Sequence, residues 1–313
     1  MMRRTHPYPG DTMHDSTSTT SPSPASPQET VHANGVDLAV QAFGDPAAPA
    51  ILLISGAEAS MDWWEDDFAA RLAASGRYVI RYDTRDTGRS TTFPIGAPTY
   101  TQDDLLADAV GVLDAYGLAA AHIVGVSMGG GLAQRLGLDH PERVLSLTLM
   151  STSPGGPGGP DNPDLPPMSE ALAKMFEEPA PGPDWSDRDA VIAYFLAAEH
   201  AFSGTIPVDE EGVRRTAGRA FDRSPVPAAA SNHWMIEGGE PIRSRLGAIT
   251  APTLVLHGTQ DPLFPYGHAE ALAREIPGAS LVPLPGMGHQ MPPRQVWDTV
   301  IPAIVAHTEP GAR

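Results

Sequence analysis

Gly125-Val126-Ser127-Met128-Gly129 reads G-x-S-x-G, and its flanks give the pattern meaning. Ahead of it, Ala121-His122-Ile123-Val124 is a short apolar run suited to a buried strand. Behind it, Gly129 to Leu138 (GGGLAQRLGL) combines small residues with the apolar spacing of a helix packed on a sheet. A strand that turns sharply into a helix strains the backbone of the central residue. Glycines two positions to either side let that turn pass close to its neighbours. The Ser127 hydroxyl is then presented at the tip of the turn, beside the positive end of the following helix. The bare pattern also occurs in ordinary glycine-rich loops; strand before and helix after point to a nucleophile.

A serine hydroxyl attacks poorly unless a base takes its proton, so the motif demands an imidazole and an orienting carboxylate elsewhere. In this architecture the chain order is Ser, then Asp or Glu, then His. Ala251 to Gly258 is an apolar strand running into Thr259-Gln260-Asp261-Pro262, and Ala279 to Leu284 is a second, running into Pro285-Gly286-Met287-Gly288-His289. Both candidates follow the C-terminal ends of strands, the edge where α/β sheets gather their sites. Pro262 keeps the Asp261 backbone out of the helical region, which suits a turn that aims a side chain. Asp161 and Asp164 are the fallback carboxylates. His257, at a strand end, and His122, opening the nucleophile strand, read as packing residues. The tetrahedral intermediate also needs backbone donors: the Met128 N–H, and one from the loop after an earlier strand. That strand is Ala50 to Ile54, followed by Ser55-Gly56-Ala57-Glu58-Ala59-Ser60. Gly56 lets the chain turn close to the elbow, which makes the Ala57 amide the second donor.

From about Thr30 to His307 the chain resembles enzymes of the α/β-hydrolase fold. The pieces that carry the likeness are Ser55-Gly56, the segment Arg81 to Ser90 (RYDTRDTGRS), Gly125 to Gly130, Gly258 to Pro262, and Gly286 to His289. Within that superfamily it is most similar to the aclacinomycin methylesterase group of polyketide-tailoring serine esterases. The resemblance implies a mostly parallel eight-stranded sheet with helices on both faces and an inserted helical cap. It also implies hydrolysis of a carboxylic ester, often a methyl ester on an aromatic polyketide. One departure is Ser55, where the superfamily commonly has histidine before the glycine; the bracing of the oxyanion loop is altered accordingly. The 81–90 segment reads as structural, its arginines and Asp83 tying the sheet-edge loops together through bidentate hydrogen bonds.

Composition agrees. The 313 residues exceed one minimal sheet domain and call for an inserted subdomain. A net charge of −18 argues against nucleic acid or an anionic membrane as partner. The absence of cysteine removes disulfides, thiol catalysis and thiolate metal ligands. Of 20 basic residues Lys174 is the only lysine, which reads as GC-rich coding in a bacterium. Residues 1–29, rich in Ser, Thr and Pro, read as a disordered leader. Arg3 and Arg4 are not followed by an apolar core of signal-peptide length, so the expected location is the cytoplasm. A hairpin, Thr30–Ala33 and Val36–Phe43 about Asn34-Gly35, opens the sheet. Strands and helices then alternate: Ile51–Ile54, Phe68–Ser75, Tyr78–Tyr82, Thr101–Tyr116, His122–Gly125, Gly130–Leu138 and Val144–Met150.

The breaker cluster Pro154 to Pro160 changes the character of the chain, and helical patterns without strands follow to Leu246. The expected division is therefore a core at 30–153 and 247–313 with a cap at 154–246. Cap helices are expected at Ser169–Glu177, Asp187–Phe202, Glu210–Phe221 and Ala228–Ile236. They would roof the cleft, exclude water and shape the pocket. Gly56, Trp63, His233, Trp234 and Phe264 are the leading candidates to line that pocket, with Trp64, His200 and Met235 behind them. The leading function is a serine esterase acting on a bulky, apolar, small-molecule ester. The alternatives are lactone opening or carbon–carbon bond hydrolysis with the same triad, and a non-hydrolytic binding or cyclase-type protein. Serine at the elbow in place of aspartate argues against alkyl-enzyme chemistry. No H-e-x-x-H metal motif and no dinucleotide fingerprint is present, so no metal and no cofactor is implied.

Overall fold

The computed structural model describes residues 25–156, 158–159, 162–179 and 181–309. The sheet has eight strands: β1 (Glu29–Ala33), β2 (Val36–Phe43), β3 (Ala50–Ile54), β4 (Tyr78–Tyr82), β5 (Ala121–Val126), β6 (Val144–Met150), β7 (Thr253–Gly258) and β8 (Ser280–Leu284). Their order is β1-β2-β4-β3-β5-β6-β7-β8. The β1–β2 and β2–β4 pairs are antiparallel and every later pair is parallel. Asn34 and Gly35 both have positive φ, the requirement of the two-residue hairpin that joins β1 to β2. The chain is already laid on the sheet before β1: Ser26 N–H donates to Ala42 O at 2.8 Å. The last residues of the expected leader are thus tied to β2 through Ser26. Residues 1–24 of that leader lie outside the described residues.

Helices α1 (Asp66–Ala74), α2 (Gln102–Ala115) and α3 (Met128–Asp139) lie in the first half, α7 (Gly267–Glu275) and α8 (Trp297–His307) in the second. Residues alternate across the sheet as a strand dictates. Leu52 and Ile54 of β3 join a core with Leu105, Leu106, Ala109, Leu132, Leu136 and Leu272 of α2, α3 and α7. Ile51 and Leu53 join the opposite core, with Phe68 and Leu72 of α1 and Trp297 and Val300 of α8. All five β3 residues are buried, the mark of a strand covered on both faces. Truncating Leu52 to Ala would cost roughly 2–5 kcal/mol at such a site.

Between β6 and β7 the chain carries α4 (Glu170–Glu177), α5 (Arg188–Phe202), α6 (Glu210–Arg223) and a 3-10 helix, Pro227–Trp234. Local sequence starts each helix. Ser169, Asp187 and Asp209 accept backbone N–H groups of the first turns, as N-caps do. The last segment winds as a 3-10 helix where an α-helix over Ala228–Ile236 was expected. Asn232 is pulled into the core, accepting from Gly96 N–H at 2.8 Å and donating to Asp86 at 3.0 Å. These anchors set the backbone rather than the local propensity.

Side chains of the 81–90 segment hold insertion and sheet together. Arg85 makes a bidentate pair with Asp108 of α2, at 2.7 and 2.8 Å. Asp83, fully buried, accepts from Met61 N–H at 2.8 Å and from Arg223 of α6 at 2.6 Å. Among the described residues no helix is long and apolar enough to cross a membrane.

Candidate active site

Ser127 stands between β5 and α3 with φ 53° and ψ −116°, a region that L-residues avoid. The turn is held from both sides: Ser127 N–H donates to Met150 O at 3.0 Å, and Thr152 Oγ1 donates to Ser127 O at 2.9 Å. A Cβ on Gly125 would stand 2.1 Å from Gly129 O, and one on Gly129 would stand 2.4 Å from Ile54 O. Any side chain there would force the elbow open, which is why the pattern needs glycine at both places.

Asp261 and His289 reach the same point from the ends of β7 and β8. Asp261 Oδ1 accepts the N–H groups of Leu263 and Phe264 at 2.9 and 2.7 Å. That turn leaves Oδ2 facing His289 Nδ1 at 2.8 Å. An ionised carboxylate only accepts, so Nδ1 carries the proton and Nε2 faces the Ser127 hydroxyl as an acceptor, at 3.0 Å. Burial pushes the Asp261 carboxyl up, but the facing His289 and the hydrogen bonds it accepts outweigh burial and hold it below its ordinary value. The imidazole is fixed from behind. His289 N–H donates to Phe202 O at 2.7 Å, where α5 ends, and a Cβ on Gly288 would stand 2.2 Å from that oxygen. The Phe264 ring meets the imidazole edge-on, centroids 5.2 Å apart. This arrangement can transfer the serine proton to His289 while Asp261 steadies the resulting imidazolium.

Among the described residues the N–H groups of Ala57 and Met128 have no hydrogen-bond partner. Gly56 lies against Ser127, a Cβ on it standing 3.4 Å from the serine Cβ. Met128 opens α3, whose first N–H groups have no intrahelical acceptor. Two unpaired donors therefore flank the hydroxyl, as an oxyanion requires.

The hydroxyl opens into a cavity of about 150 Å³ lined by Gly56, Ala57, Glu58, Trp63, Phe195, Glu199, Phe202, Trp234 and Met291, among others. Of the expected pocket residues, Gly56, Trp63 and Trp234 line it. His233 does not: both its ring nitrogens bond protein backbone, and it is 5% exposed. Phe264 does not either, because its ring is taken up by His289 and His268. Trp64 packs on Phe68 in the core, His200 pairs with Glu210 on the surface, and Met235 is 56% exposed. Asp164 is engaged by Arg243, and Asp161 lies outside the described residues. Phe195, Ala198, Glu199 and Phe202 escaped notice in the sequence, yet their spacing of three, four and seven is one face of α5. Burial raises the Glu199 carboxyl, against its hydrogen bond from Gln290. Burial likewise raises Glu58, against a hydrogen bond from Trp234. Among the described residues no group of three or more His, Asp or Glu is placed to hold a metal ion.

The sequence profile of the alpha/beta hydrolase fold matches residues 49–291. This chain belongs to the α/β-hydrolase family. It is 37% identical over 306 residues to a rhodomycin D methylesterase of a Streptomyces species, an alignment covering 90% of this chain and 98% of the relative. A second rhodomycin D methylesterase, from Streptomyces peucetius, is 36% identical, covering 87% of this chain and 95% of the relative. Among solved structures, an esterase from a Rhodococcus species superposes with a TM-score of 0.71 at 19% identity, covering 90% of this chain and 99% of that one. With these relatives this α/β-hydrolase is a carboxylic ester hydrolase, and the likeness to the aclacinomycin methylesterase group is established.

Proposed function

We propose that this α/β-hydrolase cleaves a methyl ester carried on a bulky, largely apolar, polyketide-like acid, through an acyl-enzyme on Ser127. The observation that carries the reading is the line of hydrogen bonds Asp261–His289–Ser127, at 2.8 and 3.0 Å, opening into an aromatic cavity. Ser127 Oγ attacks the ester carbonyl as His289 Nε2 takes its proton. The oxyanion that forms is received by the Ala57 and Met128 N–H groups. Collapse expels the alcohol, protonated by His289, and water then enters by the same base to release the acid. The helices between β6 and β7 act as a cap, Phe195, Phe202 and Trp234 supplying apolar wall over the cleft. The methyl alcohol and the polyketide-like acid follow the rhodomycin D methylesterases at 36–37% identity.

The test is a panel of methyl, ethyl and benzyl esters of polycyclic aromatic acids, beside p-nitrophenyl acetate and simple lactones, with released alcohol measured and the acyl-enzyme trapped for mass analysis. Methanol release and a mass increment on the Ser127 peptide are expected. Turnover confined to lactones, with no alcohol released, would replace this reading by ring opening.

A further inference from the structure

We propose that His233, a residue of the helical insertion, is the positioning residue that sets the oxyanion loop of the core. The inference rests on the assignment of Ala57 as an oxyanion donor.

Glu58, directly after Ala57, has φ 62°, a conformation that a residue with a side chain holds only when its surroundings impose it. Its N–H donates to His233 Nδ1 at 2.9 Å, across 175 positions of sequence. A backbone N–H can only donate, so Nδ1 is the acceptor and the ring proton sits on Nε2. Nε2 in turn donates to Arg85 O at 2.8 Å. The imidazole is therefore neutral, in one tautomer, and bridges the oxyanion loop to the 81–90 segment. Burial, which lowers its proton affinity, agrees with that state.

The loop's own ties are longer. Ala59 N–H reaches Gly56 O at 3.3 Å, and Ser55 Oγ reaches Ser60 O at 3.4 Å. Ser55 stands where the superfamily commonly has a histidine, and the buried imidazole here comes instead from the insertion. Fixing the Glu58 N–H fixes the peptide plane that follows Ala57. Only the two backbone torsions of Ala57 then separate that plane from the donor N–H. The insertion accordingly enters the chemical step and not only the choice of substrate.

The experiment uses three variants of the full chain, assayed on p-nitrophenyl acetate, which is too small to need the cavity walls. His233→Asn keeps an oxygen near the place of Nδ1 and so keeps the acceptor for Glu58. His233→Gln places its amide nearer Nε2 and keeps the Arg85 contact alone, and His233→Phe keeps neither. A misaimed donor costs on the order of 10–100-fold in rate. The expected result is a kcat loss of that size for Phe and Gln with KM within about twofold, and recovery of most of it by Asn. Affinity for a boronic acid that forms the tetrahedral adduct should fall in step with kcat. Folded Phe and Gln variants with wild-type kcat would overturn the proposal, as would a loss in KM alone. Should Phe fail to fold, Asn and Gln still decide, and equal rates for the two would overturn it. Failure of the underlying activity reading shows separately, as a wild-type protein that hydrolyses no ester.

Discussion

The catalytic edge of the sheet and the insertion that covers it are built on different principles. At the edge, Ser127, Asp261 and His289 are held by directional bonds. Asp261 uses Oδ1 for two backbone N–H groups and Oδ2 for His289. In the insertion, ring meets ring: Phe176 against Trp234 at 5.9 Å and against Phe202 at 6.4 Å, with Phe195 reaching Trp63 of the core at 5.6 Å. Phe176 and Trp234 remain 40% and 57% exposed. Hydrogen bonds weaken steeply with angle and so fix position closely, whereas apolar contact is non-directional and repacks at small cost. Stiff geometry suits chemistry, and a wall that can repack suits selection. The two regions are nevertheless fastened at Phe202 to His289, Arg223 to Asp83, and His233 to Glu58.

The largest effect expected is on the stiff side. Ser127→Ala should lower kcat on every ester by on the order of 10⁴–10⁶ with folding intact, because only the attacking oxygen is lost. Asp261→Asn should cost on the order of 10⁴, by loss of the charge facing Nδ1 and of the tautomer it selects. Steady-state kinetics beside circular dichroism check both, and a near-wild-type Asp261→Asn would move the orienting acid elsewhere. A smaller, substrate-dependent effect is expected from the insertion. Phe195→Ala removes one cavity wall and should raise KM for a polycyclic methyl ester by roughly 10-fold or more while sparing p-nitrophenyl acetate. Met235→Ala, at an exposed residue outside the cavity lining, should change neither. Equal losses on large and small esters after Phe195→Ala would erase the distinction between the regions.

The mildest effect concerns pH and stability, and it touches both regions. Burial lowers His233 in the insertion and His257 in β7, and brings His122 in β5 down to about 4. In the unfolded chain these groups titrate near 6.5 and bind a proton first. Their contribution to stability is therefore complete above that pH and is lost as pH falls below it. Thermal unfolding followed from pH 8 to 4 should show a flat melting temperature above about 6.5 and a steady decline beneath it. Substituting His122 by Asn should flatten that decline, and an unchanged slope would remove His122 from the account.

Much of the catalytic edge could be read from the chain because each of its pieces is a local pattern. The glycines of the elbow report a close approach, Pro262 reports a turn after Asp261, and strand ends report the edge of the sheet. The insertion was legible only in outline. Its helices carry N-caps and apolar spacing, so Asp187–Phe202 could be placed. Which of its residues would face the cleft depended on partners far away in sequence. Phe195 and Glu199 had a usable helical spacing, but nothing local said that this face met Ser127. His233 was expected in the pocket; the Glu58 and Arg85 backbone groups that claim it are 175 and 148 positions distant.

The sequence by itself determined the mostly parallel sheet and the elbow, since backbone sterics and strand periodicity act over a few residues; the order Ser127, Asp261, His289 was an expectation drawn from that architecture. Tertiary structure alone decided that Phe264 backs the imidazole, that Trp64 belongs to the core, and that the Glu58 N–H finds its acceptor in the insertion. The first two are settled by which rings meet when the helices pack, and the last by which buried polar group must then find a partner. That demand arises only when distant segments have shut out water.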